Sequence, residues 1–244
     1  MSPMIDWLRR DPREEPSVAV GDHVLPVVIR RHPTAKRMIM RLSHDGREVQ
    51  LTIPRWGRTD EAIRFARSRA DWLGEALADI PAAPAMLPGG SVMFRSRPLL
   101  IEHREGAARK PRPSDDALVV GGPAHMLERR IRRWLEAEAR VHLADDLKEY
   151  SQRAGRDAPR LALSNAQRRW GSCAHDGSIR INWRLIMAPD FVRRSVVAHE
   201  VAHLVHFDHS PKFHTLLGIL FEGDVEEANL WLRRNGRSLY LPFG

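Results

Sequence analysis

The sequence contains one cysteine in 244 residues. No internal disulfide is available, and a lone thiol agrees with a reducing compartment. No stretch approaches the roughly eighteen consecutive apolar residues that cross a bilayer. The opening MSPMIDWLRRDPREEP carries acids and prolines and has no apolar core of signal-peptide length. These absences argue against a membrane-spanning or secreted chain and lead to the expectation of a soluble, cytoplasmic protein. The sequence also has no internal repeat, no low-complexity tract, no glycine-rich P-loop and no carboxylate cluster built to hold magnesium. Oligomeric state leaves no mark in it.

The chain does contain enough apolar residues for a core, 43% hydrophobic beside 29% charged. Lysine and arginine number 39 against 31 acids, a formal charge of +8 that favours polyanions. Such an excess is usually a solvated surface. In ERRIRRW, for example, Leu127, Ile131, Trp134 and Leu135 share one helical face and leave Arg129, Arg130, Arg132 and Arg133 largely on the other. An amphipathic helix accounts for that run, so charge alone supports a nucleic-acid partner only weakly.

Periodicity divides the chain into a polar leader over residues 1–20, a candidate for disorder, a mainly β region with one helix over 21–122, and a second region over 123–244. RMIMRLSHDGREVQLTIP alternates apolar residues around Asp45-Gly46, a hairpin signal. Thr59, Asp60 and Glu61 open a helix expected to run to Pro81 and Pro84. Strand-like SVMF, PLLIE and ALVV follow. A long helix is expected from about Ala124 to Ala154, closed by Gly155. Strands near Leu161–Leu163, Arg168–Cys173 and Ser178–Trp183 come next, the last two joined at Asp176-Gly177, and Pro189-Asp190 starts another helix.

That helix carries His199-Glu200-Val201-Ala202-His203, an H-E-x-x-H pattern. Residues four apart project from the same side one turn apart, so two imidazoles can hold one zinc ion, with Glu200 placed to reach a water there as general base. With 12 histidines in the chain, the bare pattern arises by chance in a few per cent of such sequences. Its surroundings strengthen it. At about 100° per residue, His203 lies about 40° and Glu200 about 100° from His199, while Val197, Val201, Leu204 and Val205 fill the arc from about 140° to 240°. One face is core and the other reactive. The competing reading is a histidine pair hydrogen-bonded to buried groups without metal.

A third ligand is required, and three sources offer one. His206 shares the helical face, but a straight helix cannot wrap three side chains around one ion. His209 becomes available if the chain turns, and Ser210-Pro211, an N-cap followed by a first-turn proline, announces a new helix just beyond it. Glu222, Glu226 and Glu227 are carboxylate alternatives. The turn chemistry favours His209.

RWGSC, GSIRINWRLIMAP and VVAHEVAHLVHFDHSPKF, in that order, resemble the YgjP-like zinc metallopeptidase family, and LTIPRWGRTDEAIRFARSRADWL extends the likeness over most of the chain. The resemblance implies an α+β fold in which an amino-terminal β-rich region packs on a zincin-like catalytic half with a β-hairpin and a zinc-binding helix. It also implies one zinc ion on His199, His203 and His209, with Glu200 as catalytic acid/base. The sequence departs from the family pattern at His214, where tryptophan is usual, which alters a wall of the cleft. In zincins a strand beside the cleft commonly pairs with an extended peptide, so Arg169, Trp170, Gly171 and Ser172, together with His206 and His214, are candidates for substrate binding. Trp170 and Cys173 as core residues and Gly171 as a bulge is the plainer reading. Cys173 has no neighbouring base to activate it. Arg169, His206, His214 and Tyr240 are open choices for stabilising an oxyanion.

The leading expectation is a zinc-dependent peptidase acting on peptide or protein substrates. The resemblance also brings a UTP pyrophosphatase attribution for some relatives. Analogy with SprT-like proteases, which share the zincin core, adds a DNA-associated protease as a third reading.

Overall fold

The structure is a computed structural model that describes residues 16–43, 45–80 and 86–243. Most of the expected leader, and Pro81 and Pro84, lie outside the described residues. The rest falls into two compact units that divide after residue 81.

In the first unit, β1 (Ser17–Val20) and β2 (His23–His32) form a hairpin about Gly21, and β3 (Ile39–Leu42) and β4 (Val49–Pro54) form another about Gly46. The φ of +73° at Gly46 is a left-handed conformation that glycine adopts without strain. β2 and β4 run parallel, giving the order β1-β2-β4-β3. Val49, Leu51 and Ile53 alternate into a core with Val18, Val20 and Val27, closed by Ala62, Ala66 and Leu73 of helices α1 (Thr59–Arg67) and α2 (Ala70–Ala78). Two corrections follow. Residues 17–20, assigned to the leader, are a strand pinned by the buried Val18 and Val20. The single helix expected from Thr59 is two, because the Ser68 hydroxyl donates to the Phe65 carbonyl at 2.9 Å and Arg69 leaves helical geometry.

The second unit begins with β5 (Ser91–Phe94), β6 (Arg97–His103), β7 (Arg112–Ser114) and β8 (Ala117–Val120), ordered β5-β6-β8-β7. Its inner strands are parallel and its outer pairs antiparallel, the same order and polarity as the first sheet. Exposed β7, with Pro113 at its centre, carries no apolar alternation. The sequence reading put this sheet with the amino-terminal region and a boundary at 122. The sheet belongs instead to the second unit, because Val92, Leu99, Ile101, Leu118 and Val120 share one core with Leu127, Ile131, Trp134 and Leu135 of helix α3 (Leu127–Arg153).

A second sheet, ordered β10-β11-β9, joins β9 (Leu161–Ser164), β10 (Gly171–Cys173) and β11 (Ile179–Asn182), leaving β10 at an edge. The Asp176-Gly177 turn links β10 to β11 as expected. Helices α4 (Asp190–His203), α5 (Pro211–Leu220) and α6 (Val225–Asn235) complete the unit.

Helix α4 is clamped to α3 by charge as well as by packing. Arg193 pairs with Asp146 at 2.7 Å, their side chains 4% and 5% exposed. Arg194 reaches Asp146 at 3.2 Å, Glu149 at 2.8 Å and Glu222 at 2.6 Å, and Tyr150 donates to Glu222 at 2.8 Å. Removing Asp146 leaves the buried Arg193 with only the part-exposed Asp190, at 2.6 Å, and takes an acceptor from Arg194 as well. Asp146→Ala should therefore cost roughly 3–5 kcal/mol, lowering Tm by about 6–20 °C. Replacing Asp146 and Arg193 together by leucine and methionine should recover most of that loss, as measured by denaturant melts. A loss below about 1 kcal/mol for the single variant would contradict this account.

Candidate metal centre

Helix α4 starts after Pro189 and buries Val192, Val196, Val197, Ala198, Val201 and Ala202. His199 and His203 emerge from the remaining side with ring centroids 4.9 Å apart. The helix stops at His203. Backbone bonds from Leu204, Val205 and His206 back to Val201 and Ala202 tighten the last turn and send the chain away. Ser210 then occupies the N-cap position of α5 and Pro211 its first turn, so His209 is brought back over the end of α4. One ring nitrogen from each of His199, His203 and His209 lies within 4.8 Å of the others, an arrangement that could hold a metal ion.

Phe213, which is fully buried, lies beneath this group. Its ring centroid is 5.0 Å from that of His199, 4.6 Å from His203 and 4.9 Å from His209. One aromatic side chain thus touches all three imidazoles and limits their rotation. The sequence reading missed it, although Ser210-Pro211 places Phe213 in the first turn of α5, pointing back toward the chain reversal.

Hydrogen bonding orients the set further. His203 Nδ1 lies 3.1 Å from the His206 carbonyl and donates to it, leaving the Nε2 lone pair free. His206 contributes that carbonyl, and its ring stands outside the cluster. Burial holds the His199 imidazole down to about 4, with the neighbouring histidine charges acting the same way. Burial likewise lowers His203. Neutral imidazoles are the form that binds metal.

Glu200 is the one acid buried beside them, 6% exposed. Burial pushes its carboxyl up to about 7, against a backbone hydrogen bond from Cys173 and the charge of Arg169, both of which lower it. Edge strand β10 runs alongside. A Cβ at Gly171 would collide with the Glu200 carboxylate, so glycine is required there by contact. Burial and then the Glu200 charge raise the Cys173 thiol, which leaves it a poor nucleophile.

The other candidates separate. Arg169 is exposed near Glu200, and His214 is exposed with its ring 6.4 Å from that of His209, both at the rim. Ser172 lies in β10 opposite Arg180. Trp170 packs on Tyr240 at 5.4 Å and against Gly236. Tyr240 is withdrawn from the oxyanion candidates. It is 2% exposed, and its hydroxyl donates to the Ala166 carbonyl and accepts from Asn182. Glu222 is taken up by Tyr150, Arg153 and Arg194. Glu226 and Glu227 lie in the first turn of α6, capped by Asp224 and outside the cluster.

Two histidines at the end of one helix and a third from the turn beyond it, with a buried glutamate beside them and an edge strand alongside, make a candidate metal centre. Residues 36–235 match the family described as YgjP-like, metallopeptidase domain, and the chain belongs to that family. No curated protein and no solved structure matches it. Among the described residues no helix is long and apolar enough to cross a membrane.

Protonation of Glu200 should be visible in the stability of the protein after metal is removed with chelator. A carboxyl raised from 4.5 to about 7 binds more protons folded than unfolded between those values, so its contribution is intact below about 4.5. That contribution is lost as pH rises through about 7, by roughly 3 kcal/mol. His199, lowered to about 4, gives the opposite slope between about 4 and 6.5. The difference between wild type and Glu200→Gln across that range isolates the carboxyl. Parallel stability curves would show that Glu200 is not held protonated.

Proposed function

We propose that this chain is a zinc-dependent peptidase in which Glu200 is the general base and then the general acid. The observation that carries the reading is the convergence of His199, His203 and His209 beside a buried carboxyl and a free strand edge. Three imidazoles suit zinc with a fourth position left open. Two nitrogens held at about 2.0–2.1 Å in tetrahedral geometry lie about 3.3 Å apart; His209 Nε2 and His199 Nε2 lie 3.3 Å apart, and the three ligand nitrogens together fall within 4.8 Å of one another. Zinc held by these histidines supplies Lewis acidity, which polarises a carbonyl and lowers the pKa of water.

The chain's own residues do the rest. An extended peptide adds to the edge of β10 through main-chain hydrogen bonds, which brings its scissile bond alongside Glu200. The Glu200 carboxylate removes a proton from the attacking water and delivers it to the departing amine. Its pKa near 7 suits both transfers at neutral pH. Arg169 and His214, exposed at the rim, stabilise negative charge that develops on the substrate in this reading. Phe213 keeps the imidazoles in register.

Metal analysis combined with digestion of an unbiased peptide library tests this directly. Wild type should carry one zinc and cleave, whereas Glu200→Gln should keep the zinc and lose activity by about 100-fold or more. Undiminished cleavage by that variant would sink the mechanism. Release of pyrophosphate from UTP, with no peptide cleaved, would replace this reading by nucleotide hydrolysis. Gly171→Ala makes a second test. Its methyl displaces the Glu200 carboxylate without touching a histidine, so zinc should remain while kcat falls about 100-fold.

A further inference from the structure

The amino-terminal unit gathers exposed positive charge at one end of its sheet. Arg31 lies beside Ile53 and His32 beside Pro54 in the parallel β2/β4 pair, and Ile39 opposes Thr52 in the antiparallel β3/β4 pair. The carboxyl ends of β2 and β4 and the amino end of β3 therefore stand side by side, with neighbouring strands about 4.8 Å apart. The β2–β3 and β4–α1 connections both emerge there. The connections contribute Lys36, Arg37, Arg55 and Arg58, and the carboxyl end of β2 adds Arg30 and Arg31 on its two faces, all exposed. The turn acids Asp22, Asp45 and Glu48 lie at the opposite end, where the hairpins close, and the acids at the basic end are Asp60 and Glu61 of the first turn of α1, against six cations. Among the described residues, Arg30, Lys36, Arg37, Arg55 and Arg58 form no ion pair.

At the centre of this basic end is Trp56, 76% exposed. Its turn is not loose. Pro54 and Gly57 on either side are buried, the Gly57 N–H donates to the Pro54 carbonyl at 2.9 Å, and Arg31 donates to Thr59 Oγ1 at 3.0 Å and to the Gly57 carbonyl at 3.5 Å. A Cβ at Gly57 would press on the Pro54 carbonyl at 3.1 Å, so the turn is packed to its limit. The indole is thus held out in water on a fixed support between Arg55 and Arg58.

We propose that this end of the amino-terminal unit binds single-stranded nucleic acid, with Trp56 stacking on an unpaired base while the surrounding guanidiniums hold phosphates. Arginine outnumbers lysine five to one among these cations, and its planar fork pairs bidentately with phosphate and stacks on bases. Duplexes hide the faces of their bases, whereas a single strand offers one to each aromatic platform. A lipid surface is the poorer fit. Insertion needs a broad apolar face, and beside Trp56 this end exposes only Ile39, at 37%.

Fluorescence anisotropy of the full chain with labelled oligouridylate, oligothymidylate and a duplex of equal length provides the test. Both single strands should outbind the duplex, and the tighter of the two identifies the polymer. Affinity should fall with salt at a log–log slope of about −3 to −4, as expected for about five phosphate contacts. Trp56→Ala removes an exposed side chain, so its melting temperature should not move, but affinity should drop about 5- to 150-fold. Arg37→Glu with Arg55→Glu should weaken binding and flatten the slope. The same charge change on the exposed face of α3, Arg129→Glu with Arg133→Glu, should leave affinity within about twofold. Unaltered binding by Trp56→Ala, equal weakening by the α3 variant, a duplex bound as tightly as the single strands, or binding confined to anionic vesicles would each overturn the proposal.

Discussion

Helix α4 buries Val192, Val196, Val197, Val201 and Ala202, and every polar group it carries must then find a partner nearby or bear the cost of leaving water. That constraint organises the second unit. At one end of the helix Arg193 and Arg194 meet Asp146, Glu149 and Glu222, which ties α4 to α3. At the other end, among the described residues, His199, His203 and Glu200 form no ion pair, and the charges of Arg169 and Asp208 are outweighed by burial. Imidazoles kept neutral and a carboxyl kept near neutrality are the form in which burial is least costly, and also the form that chemistry at a metal requires. The geometry of the candidate site and the stability of its helix have one source.

Much of that site was legible in the sequence because it rests on local rules. Helical spacing put His199 and His203 on one side, and Ser210-Pro211 forced the turn that returns His209. The hairpins at Asp45-Gly46 and Asp176-Gly177 followed from turn chemistry. What escaped depends on residues far apart in the chain. Tyr240 looks available in isolation, yet Ala166 and Asn182 take its hydroxyl. Glu222 stands at a plausible distance for a ligand, but Arg194 and Tyr150 claim it. Phe213 reads as an ordinary core residue until the chain reversal brings it under three imidazoles.

The division of the chain escaped for a related reason. Composition changes near residue 122, where strands give way to the long α3, and that change suggested a boundary. Burial crosses it. Leu118 and Val120 pack with Leu127 and Ile131, so the sheet before α3 and the helix itself are one body. The two mixed sheets share an order and polarity without any recognisable repeat in their residues: the first turns at Gly21 and Gly46, the second at Arg95-Ser96 and Asp115-Asp116.

The short span of sequence that makes the first sheet bears on how the chain is made. All its strands pair between Ser17 and Pro54, and the helices that cover it end at Ala78. At about 5–20 residues per second, this unit has emerged and can fold well before His199 is joined to the chain. Its strand pairing and helical cover therefore involve no residue of the histidine cluster, which lies wholly in the second unit.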